Sequence, residues 1–454
     1  MINSTNDYLS EKAKNLTPYV AGLQPQEAGW IKLNTNEGPY PPSPKVQEAL
    51  ANTDISKLRL YPDGESTTLR EAIAADLNKA YNSRKGGMLS PAEAKDNDNT
   101  QTRAASCSSY ENTCESINIG PDNIFCGNGS DEVLALAFQA FYSGKENILT
   151  PDISYGFYPV WGKMFDVGLK HAPLNEDFSL NPSDYKNANG VIIANPNAPT
   201  GQALGLLDVE KLLQQNPKGV VLVDEAYIDF ADVESAVSLL PGICKAASTR
   251  HREEAPHSRH CEERSDEAIQ ETKDFRHPWI ASASPRKDGG GVNEGYKNLL
   301  IVRTFSKSHA LAGLRVGYAI GPTHLINALR QVRDAFNSYP LDMLSQTAAT
   351  AAIKDRPYLE KIVNQVKSTR DSTISQLQNL GYEVTPSHTN FILIKTQYSQ
   401  DLYNHLLNNK ILTRYWPTPK LKNHLRVSIG TNPEMEAFIK CVQEYTSAIQ
   451  TKQT

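Results

Sequence analysis

The stretch Leu299–Gly317, LLIVRTFSKSHALAGLRVG, governs how the rest of the chain is read. Leu299, Leu300, Ile301 and Val302 form a short apolar run that suits a strand buried on both faces. The run stops at Arg303-Thr304, and Ser306-Lys307 stands in the loop just beyond it. Gly313 and Arg315 follow, then a second strand-like run, Val316–Ile320. A lysine at the exit of a buried strand is placed to lose its solvation, and a desolvated amine deprotonates and attacks carbonyl carbon. Taken alone, such a lysine is far more often solvated surface.

Two further runs change the weighting. Val220–Val223 ends in Asp224-Glu225-Ala226-Tyr227, and a carboxylate at the end of a buried strand is costly unless a cation or hydrogen-bond donors meet it. Val191–Ala194 runs into Asn195-Pro196-Asn197-Ala198-Pro199-Thr200-Gly201, the composition of a rigid turn. An hhhhDE strand end also occurs in phosphate-loop ATPases, but the chain contains no GxxxxGK[ST] loop. A lysine for a Schiff base, an acid for a protonated pyridine nitrogen and an arginine for a phosphate together meet the needs of pyridoxal phosphate.

With those residues in view, the chain resembles the fold-type I aminotransferases, and among them the histidinol-phosphate aminotransferase family. The resemblance rests on Asn15-Leu16-Thr17-Pro18-Tyr19, Leu33-Asn34-Thr35-Asn36-Glu37, Tyr61-Pro62, Gly129-Ser130-Asp131-Glu132, Asp224-Glu225-Ala226-Tyr227, Ser306-Lys307 with Leu311–Arg315, and Leu425-Arg426 with Gly430-Thr431. It spans nearly the whole chain apart from two insertions. It implies an α/β fold: a large domain with a mostly parallel seven-stranded sheet flanked by helices, then a small α+β C-terminal domain. The expected division is an N-terminal arm over 1–44, a cofactor-binding domain over 45–335 and a small domain over 336–454.

Composition agrees with a globular protein. A chain of 454 residues buries a large core, and 39% apolar content is ordinary. A net charge of −5 gives no reason to invoke nucleic acid or an anionic membrane, and no apolar stretch approaches the length of a membrane helix. The N-terminus lacks an apolar signal core and the six cysteines make no disulfide framework, so the expected compartment is the cytoplasm. His257, His260 and Cys261 are the only tight His/Cys group, and no metal site is expected there.

Residues 82–116 and 241–298 break the pattern. The first holds a single residue from Leu, Ile, Val and Phe, namely Leu89, and the second is densely charged before a glycine run at 289–291. Neither buries enough apolar surface to offset its ordering entropy, so both read as disordered insertions. Closure entropy grows only with the logarithm of loop length, which makes such insertions tolerable. Elsewhere the expected elements are a helix opening at Gly129, a βαβ unit of strands 191–194 and 220–223 around helix 206–215, helices 324–336, 342–353 and 358–380, and strands 389–395, 411–415 and 425–429. In the last strand Arg426 and Ser428 share the face opposite Leu425, Val427 and Ile429.

The resemblance also assigns roles. Lys307 would carry pyridoxal 5'-phosphate as a Schiff base and move the proton on the substrate carbon. Asp224 would keep the ring nitrogen protonated by opposite charge, and Tyr227 would hydrogen-bond the phenolic oxygen. Tyr155 would stack on the ring. Gly129, Ser130, Asp131, Ser306 and Arg315 would hold the cofactor phosphate, with Tyr61 reaching it from a neighbouring subunit of a homodimer. Tyr19, Asn36, Arg414 and Arg426 would bind the substrate, since guanidinium pairs bidentately with phosphate. The implied substrates are histidinol phosphate and 2-oxoglutarate, with imidazole-acetol phosphate and glutamate as products. One departure stands out: the family places asparagine directly before Pro-Thr-Gly, whereas Ala198 stands here with Asn197 one step earlier. Either Asn197 reaches the ring from a shifted turn, or Tyr227 acts alone. Rival readings are an aromatic aminotransferase, a phosphothreonine decarboxylase and a non-catalytic remnant. As a lone motif, Gly127–Glu132 fails as a dinucleotide loop because Glu132 replaces its last glycine.

Overall fold

The computed structural model describes residues 8–86, 118–240 and 295–453, apart from 21 and 26. Most of both expected insertions, and the His257–Cys261 group, lie outside the described residues. Residues 82–86, expected as the start of an insertion, instead continue the helix Thr67–Gly86.

After a short strand β1 (Ile31–Lys32), seven strands build the main sheet: β2 (Ile124–Asn128), β3 (Glu146–Pro151), β4 (Gly168–Ala172), β5 (Gly190–Ala194), β6 (Val220–Asp224), β7 (Leu299–Thr304) and β8 (Val316–Ile320). Their order is β2-β8-β7-β6-β5-β3-β4. All neighbours run parallel except at β8, which is antiparallel to both β2 and β7. The apolar runs explain this placement. Val191, Ile193, Val221, Val223, Leu299 and Ile301 pack into the core on one face, while Ile192, Leu222, Leu300 and Val302 pack into the core on the other. Strands apolar on both faces need helices on both faces, and that favours parallel order. The helix Leu206–Gln215 makes the crossover between β5 and β6 at the bounds expected from its pattern.

The small domain holds β9 (Glu383–Thr385), β10 (Phe391–Lys395), β11 (Ile411–Leu412), β12 (Arg414–Tyr415) and β13 (His424–Ser428). An antiparallel sheet runs in the order β12-β13-β10-β9, and β11 pairs separately, in parallel, with β1. The single strand expected over 411–415 is therefore two, because the chain changes partner at the buried Thr413. The core clusters run across the expected boundary at 335/336. Leu341, Ala348, Ala349, Ala352 and Ile353 bury in the large-domain core, and the first helix that serves the small-domain core is Arg356–Asn379. The N-terminal segment is no mere arm, since Leu33 packs into the small-domain core. Among the described residues no helix is long and apolar enough to cross a membrane.

Candidate active site

The carboxyl ends of β5, β6 and β7 deliver Ala194, Asp224 and the Ser306-Lys307 loop to one edge of the sheet, where parallel α/β folds bind ligands. There a cavity of about 540 Å³ opens between the domains, lined by Tyr19, Asn36, Lys307, Arg414, Trp416 and Arg426 among others. A smaller recess of about 80 Å³ takes in Ser130, Asp131, Asp224, Ser306, Lys307 and Arg315. Lys307, Tyr155, Tyr227 and Ala198 line both.

Lys307 Nζ donates to the carbonyl of Thr35 at 3.3 Å and lies 5.8 Å from the centre of the Tyr227 ring. Asp224 is 5% exposed and meets donors rather than a cation: the Tyr158 hydroxyl at 3.0 Å and the Ala226 N–H at 3.1 Å. Burial lifts its carboxyl to about 7, with those two hydrogen bonds pulling back. Burial, and then the Asp224 charge, hold the Tyr158 phenol far above its ordinary value, so it stays a donor. Sequence pattern does not single out Tyr158; the only signal is its place as the second tyrosine of the loop that carries Tyr155.

The smaller recess forms where β2 turns into the nine-residue helix Gly129–Ala137, whose first amides are unpaired within the helix. Gly129 sits at φ +80°, and a Cβ there would lie 2.7 Å from Arg315 Nη2. Ser306 Oγ is buried and has no hydrogen-bond partner among the described residues. An orphaned hydroxyl, helix amides and a guanidinium around one recess fit a phosphate dianion. Asp131 lines the same recess. Its carboxylate accepts from Arg315 Nη2 at 2.9 Å and from the Tyr155 hydroxyl at 2.7 Å. The side chain thus braces Arg315 and Tyr155, while the Asp131 N–H belongs to the first turn whose amides open on the recess.

Asn197 is engaged by its own turn and by the loop at Ile153-Ser154. Its Oδ1 accepts from Ser154 Oγ at 2.8 Å, and its Nδ2 donates to the Ile153 carbonyl at 2.9 Å and to Thr200 Oγ1 at 3.0 Å. Those bonds fix the turn and leave the amide off both cavity walls, which Ala198 lines in its place. Tyr227 is thus left to face the recess without that amide. Its hydroxyl accepts from Asn36 Nδ2 at 3.0 Å. Tyr155 packs against Tyr158 and Trp161 at ring separations of 5.7 and 6.1 Å.

At the far end of the larger cavity Arg414 and Arg426 are register partners across β12 and β13. Both guanidiniums lie over Trp416, at 5.4 and 5.1 Å. Neither forms an ion pair with a carboxylate among the described residues. Arg426 Nη2 donates to the Asn34 carbonyl at 2.7 Å, while its Nε is buried without a partner. Burial, aided by Arg414, lowers the Arg426 guanidinium to about 10, which leaves it charged at neutral pH. Tyr19 stacks on Phe157 at 4.4 Å at the cavity rim. Tyr61 lies elsewhere: it is 82% exposed, stacks on Tyr339 at 4.7 Å and lines neither cavity of its own chain. Among the described residues no cluster of His, Cys, Asp and Glu is suited to a metal.

A family model described as aminotransferase class I and II matches residues 28–256 and 273–442. A histidinol-phosphate aminotransferase of Brachyspira hyodysenteriae is 37% identical over 439 residues, covering 96% of this chain and 98% of its own. One from a Marinomonas species is 37% identical over 437 residues, covering 95% and 97%. Among solved structures, the histidinol-phosphate aminotransferase of Sinorhizobium meliloti in complex with pyridoxal-5'-phosphate has a TM-score of 0.70 at 18% identity, covering 98% of this chain and 99% of that one. At that identity the likeness shows the fold.

Proposed function

Because the chain belongs to the class I and II aminotransferases, and within them to the histidinol-phosphate aminotransferase family, we propose that it transfers the amino group of L-histidinol phosphate to 2-oxoglutarate. The products are imidazole-acetol phosphate and L-glutamate, as a step of histidine biosynthesis, and the cofactor is pyridoxal 5'-phosphate held on Lys307. The carrying observation is the pair Arg414 and Arg426, two guanidiniums that have no carboxylate partner among the described residues and share one cavity with Lys307. A site of that kind pairs a dianion at one end with an amine-handling lysine at the other.

When bound, pyridoxal phosphate supplies an aldehyde that condenses with amines and a protonated ring that draws off the electrons released at the substrate α-carbon. The residues divide the remaining work. Lys307 would hold the cofactor through its Nζ, and the freed amine would move the proton from the substrate α-carbon to the former aldehyde carbon. Asp224 keeps the ring nitrogen protonated through opposite charge, with Tyr158 fixing the carboxylate. Tyr227 donates to the phenolic oxygen and Tyr155 covers the ring. The amides at Gly129, Ser130 and Asp131, the Ser306 hydroxyl and the Arg315 guanidinium would hold the cofactor phosphate. Arg426 and Arg414, with Tyr19, receive the substrate phosphate, Asn36 standing nearby with its amide on Tyr227 and Ser428, and the same arginines receive the 2-oxoglutarate carboxylate in the second half of the cycle.

A second copy of the chain completes the site in this reading. Ile55, Leu58, Leu60, Tyr61 and Phe336 are all exposed apolar side chains. In this reading a second copy covers these side chains, and Tyr61 serves the cofactor phosphate of that copy.

Turnover with histidinol phosphate, phenylalanine and phosphothreonine, compared in wild type and Lys307→Ala, tests the assignment. Preferred turnover of histidinol phosphate, lost in Lys307→Ala, is the expected result. Phenylpyruvate or carbon dioxide as the main product would overturn it.

A further inference from the structure

Asn36 is held on three sides. Its backbone N–H donates to Ser428 Oγ at 2.9 Å, and Ser428 Oγ donates back to Asn36 Oδ1 at 2.7 Å. Its carbonyl accepts from Asn390 Nδ2 at 3.1 Å, and its Nδ2 donates to the Tyr227 hydroxyl at 3.0 Å. Asn36 and Ser428 are 2% and 3% exposed, and Asn36 sits at φ 56°, a conformation asparagine tolerates better than most residues. The directions of these bonds are coupled. Ser428 Oγ already accepts a backbone N–H, which has no other role. Were the Asn36 amide turned over, Ser428 would accept twice and its own buried proton would have no acceptor here, a cost that buried hydroxyls avoid. The amide therefore presents its nitrogen to Tyr227. A nitrogen of that kind only donates, so the Tyr227 oxygen accepts and its own proton is left to point elsewhere.

We infer that Ser428 and Asn36 form a directional relay that aims the Tyr227 hydroxyl proton into the cofactor recess. Both are positioning residues acting through Tyr227. The relay rests on the functional reading above, in which that proton meets the phenolic oxygen of pyridoxal phosphate. It carries particular weight in this chain because Ala198 lines the recess with a methyl group and Asn197 is engaged elsewhere. It also ties the two ends of the cavity together, since Ser428 lies two residues from Arg426 on the same face of β13.

The test compares how stripped full-length protein binds pyridoxal phosphate and its 3-deoxy analogue, which lacks only the phenolic oxygen, by absorbance titration. General loosening of the site weakens both and leaves their ratio alone; loss of the aimed proton lowers the ratio. In Ser428→Ala the amide is free to turn and draw the Tyr227 proton toward Oδ1, so the preference for pyridoxal phosphate falls about fivefold, the worth of one neutral hydrogen bond. Ser428→Thr, which keeps the hydroxyl, restores it. Asn36→Asp gives the same fall by a different route, because a carboxylate only accepts and pulls the proton away from the recess. Wild-type ratios in both Ser428→Ala and Asn36→Asp overturn the relay while leaving the functional reading intact. Wild-type protein that forms no borohydride-reducible adduct with pyridoxal phosphate overturns both.

Discussion

The Tyr158 hydroxyl donates to Asp224 Oδ2 at 3.0 Å at the end of a strand where no cation pairs with that carboxylate among the described residues. The consequence is measurable in cofactor-free protein. Burial raises the folded carboxyl from 3.8 to about 7. A raised folded value means that the stabilising contribution is complete below the unfolded value, near 4, and is lost as pH climbs through about 7. Stability measured by urea unfolding is expected to fall across that window through this group, and Asp224→Asn is expected to remove this share of the fall. Equal slopes in the two proteins would refute the burial of an unpaired charge.

Gly317 in β8 tests the cradle from behind. A Cβ on it would lie 2.2 Å from the Ser130 backbone nitrogen and 2.4 Å from the Gly129 carbonyl carbon. Backbone does not yield as a flexible side chain does, so Gly317→Ala must push the helix start away from the strand. Overpacking of this kind costs about 1–3 kcal/mol. Thermal unfolding should show that loss, and equilibrium dialysis should show at least a tenfold drop in affinity for pyridoxal phosphate.

Arg426→Lys keeps the charge but removes the planar fork, including the buried Nε that has no protein partner. A charge-assisted hydrogen bond is worth roughly 1.5–3 kcal/mol. The KM for histidinol phosphate is therefore expected to rise ten- to a hundredfold in steady-state assays. Retention of the cofactor should not change, because Arg426 does not line the smaller recess.

Asn197→Ala separates a structural asparagine from a cofactor ligand. Three hydrogen bonds to Ser154, Ile153 and Thr200 are lost with the amide, and two of them leave buried partners. Stability should drop by about 1–3 kcal/mol in denaturant unfolding. The absorbance of the bound cofactor should stay that of wild type; a shifted spectrum would restore Asn197 to the cofactor.

Much of the site was legible because it lies where buried strands end. Periodicity and apolar runs marked β5, β6, β7 and β8, and with them the positions of Asp224, Lys307 and Arg315. Tyr158 was not legible, since a tyrosine in an aromatic loop packs or donates according to neighbours distant in sequence. The strand over 411–415 read as one because a run of apolar and polar residues does not reveal that Thr413 hands the chain from one sheet to another.

The sequence by itself determined which chemistry-bearing residues stand at strand ends, because burial on both faces of a strand is written in its composition. Only the tertiary structure decided what those residues do to one another. It turned Asn197 into its own loop, set Asp131 against Arg315, and joined Asn36 to Ser428 across 392 positions. Hydrogen-bond direction depends on which donors and acceptors meet in space, and that pairing is fixed only when the two domains close on the same cavity.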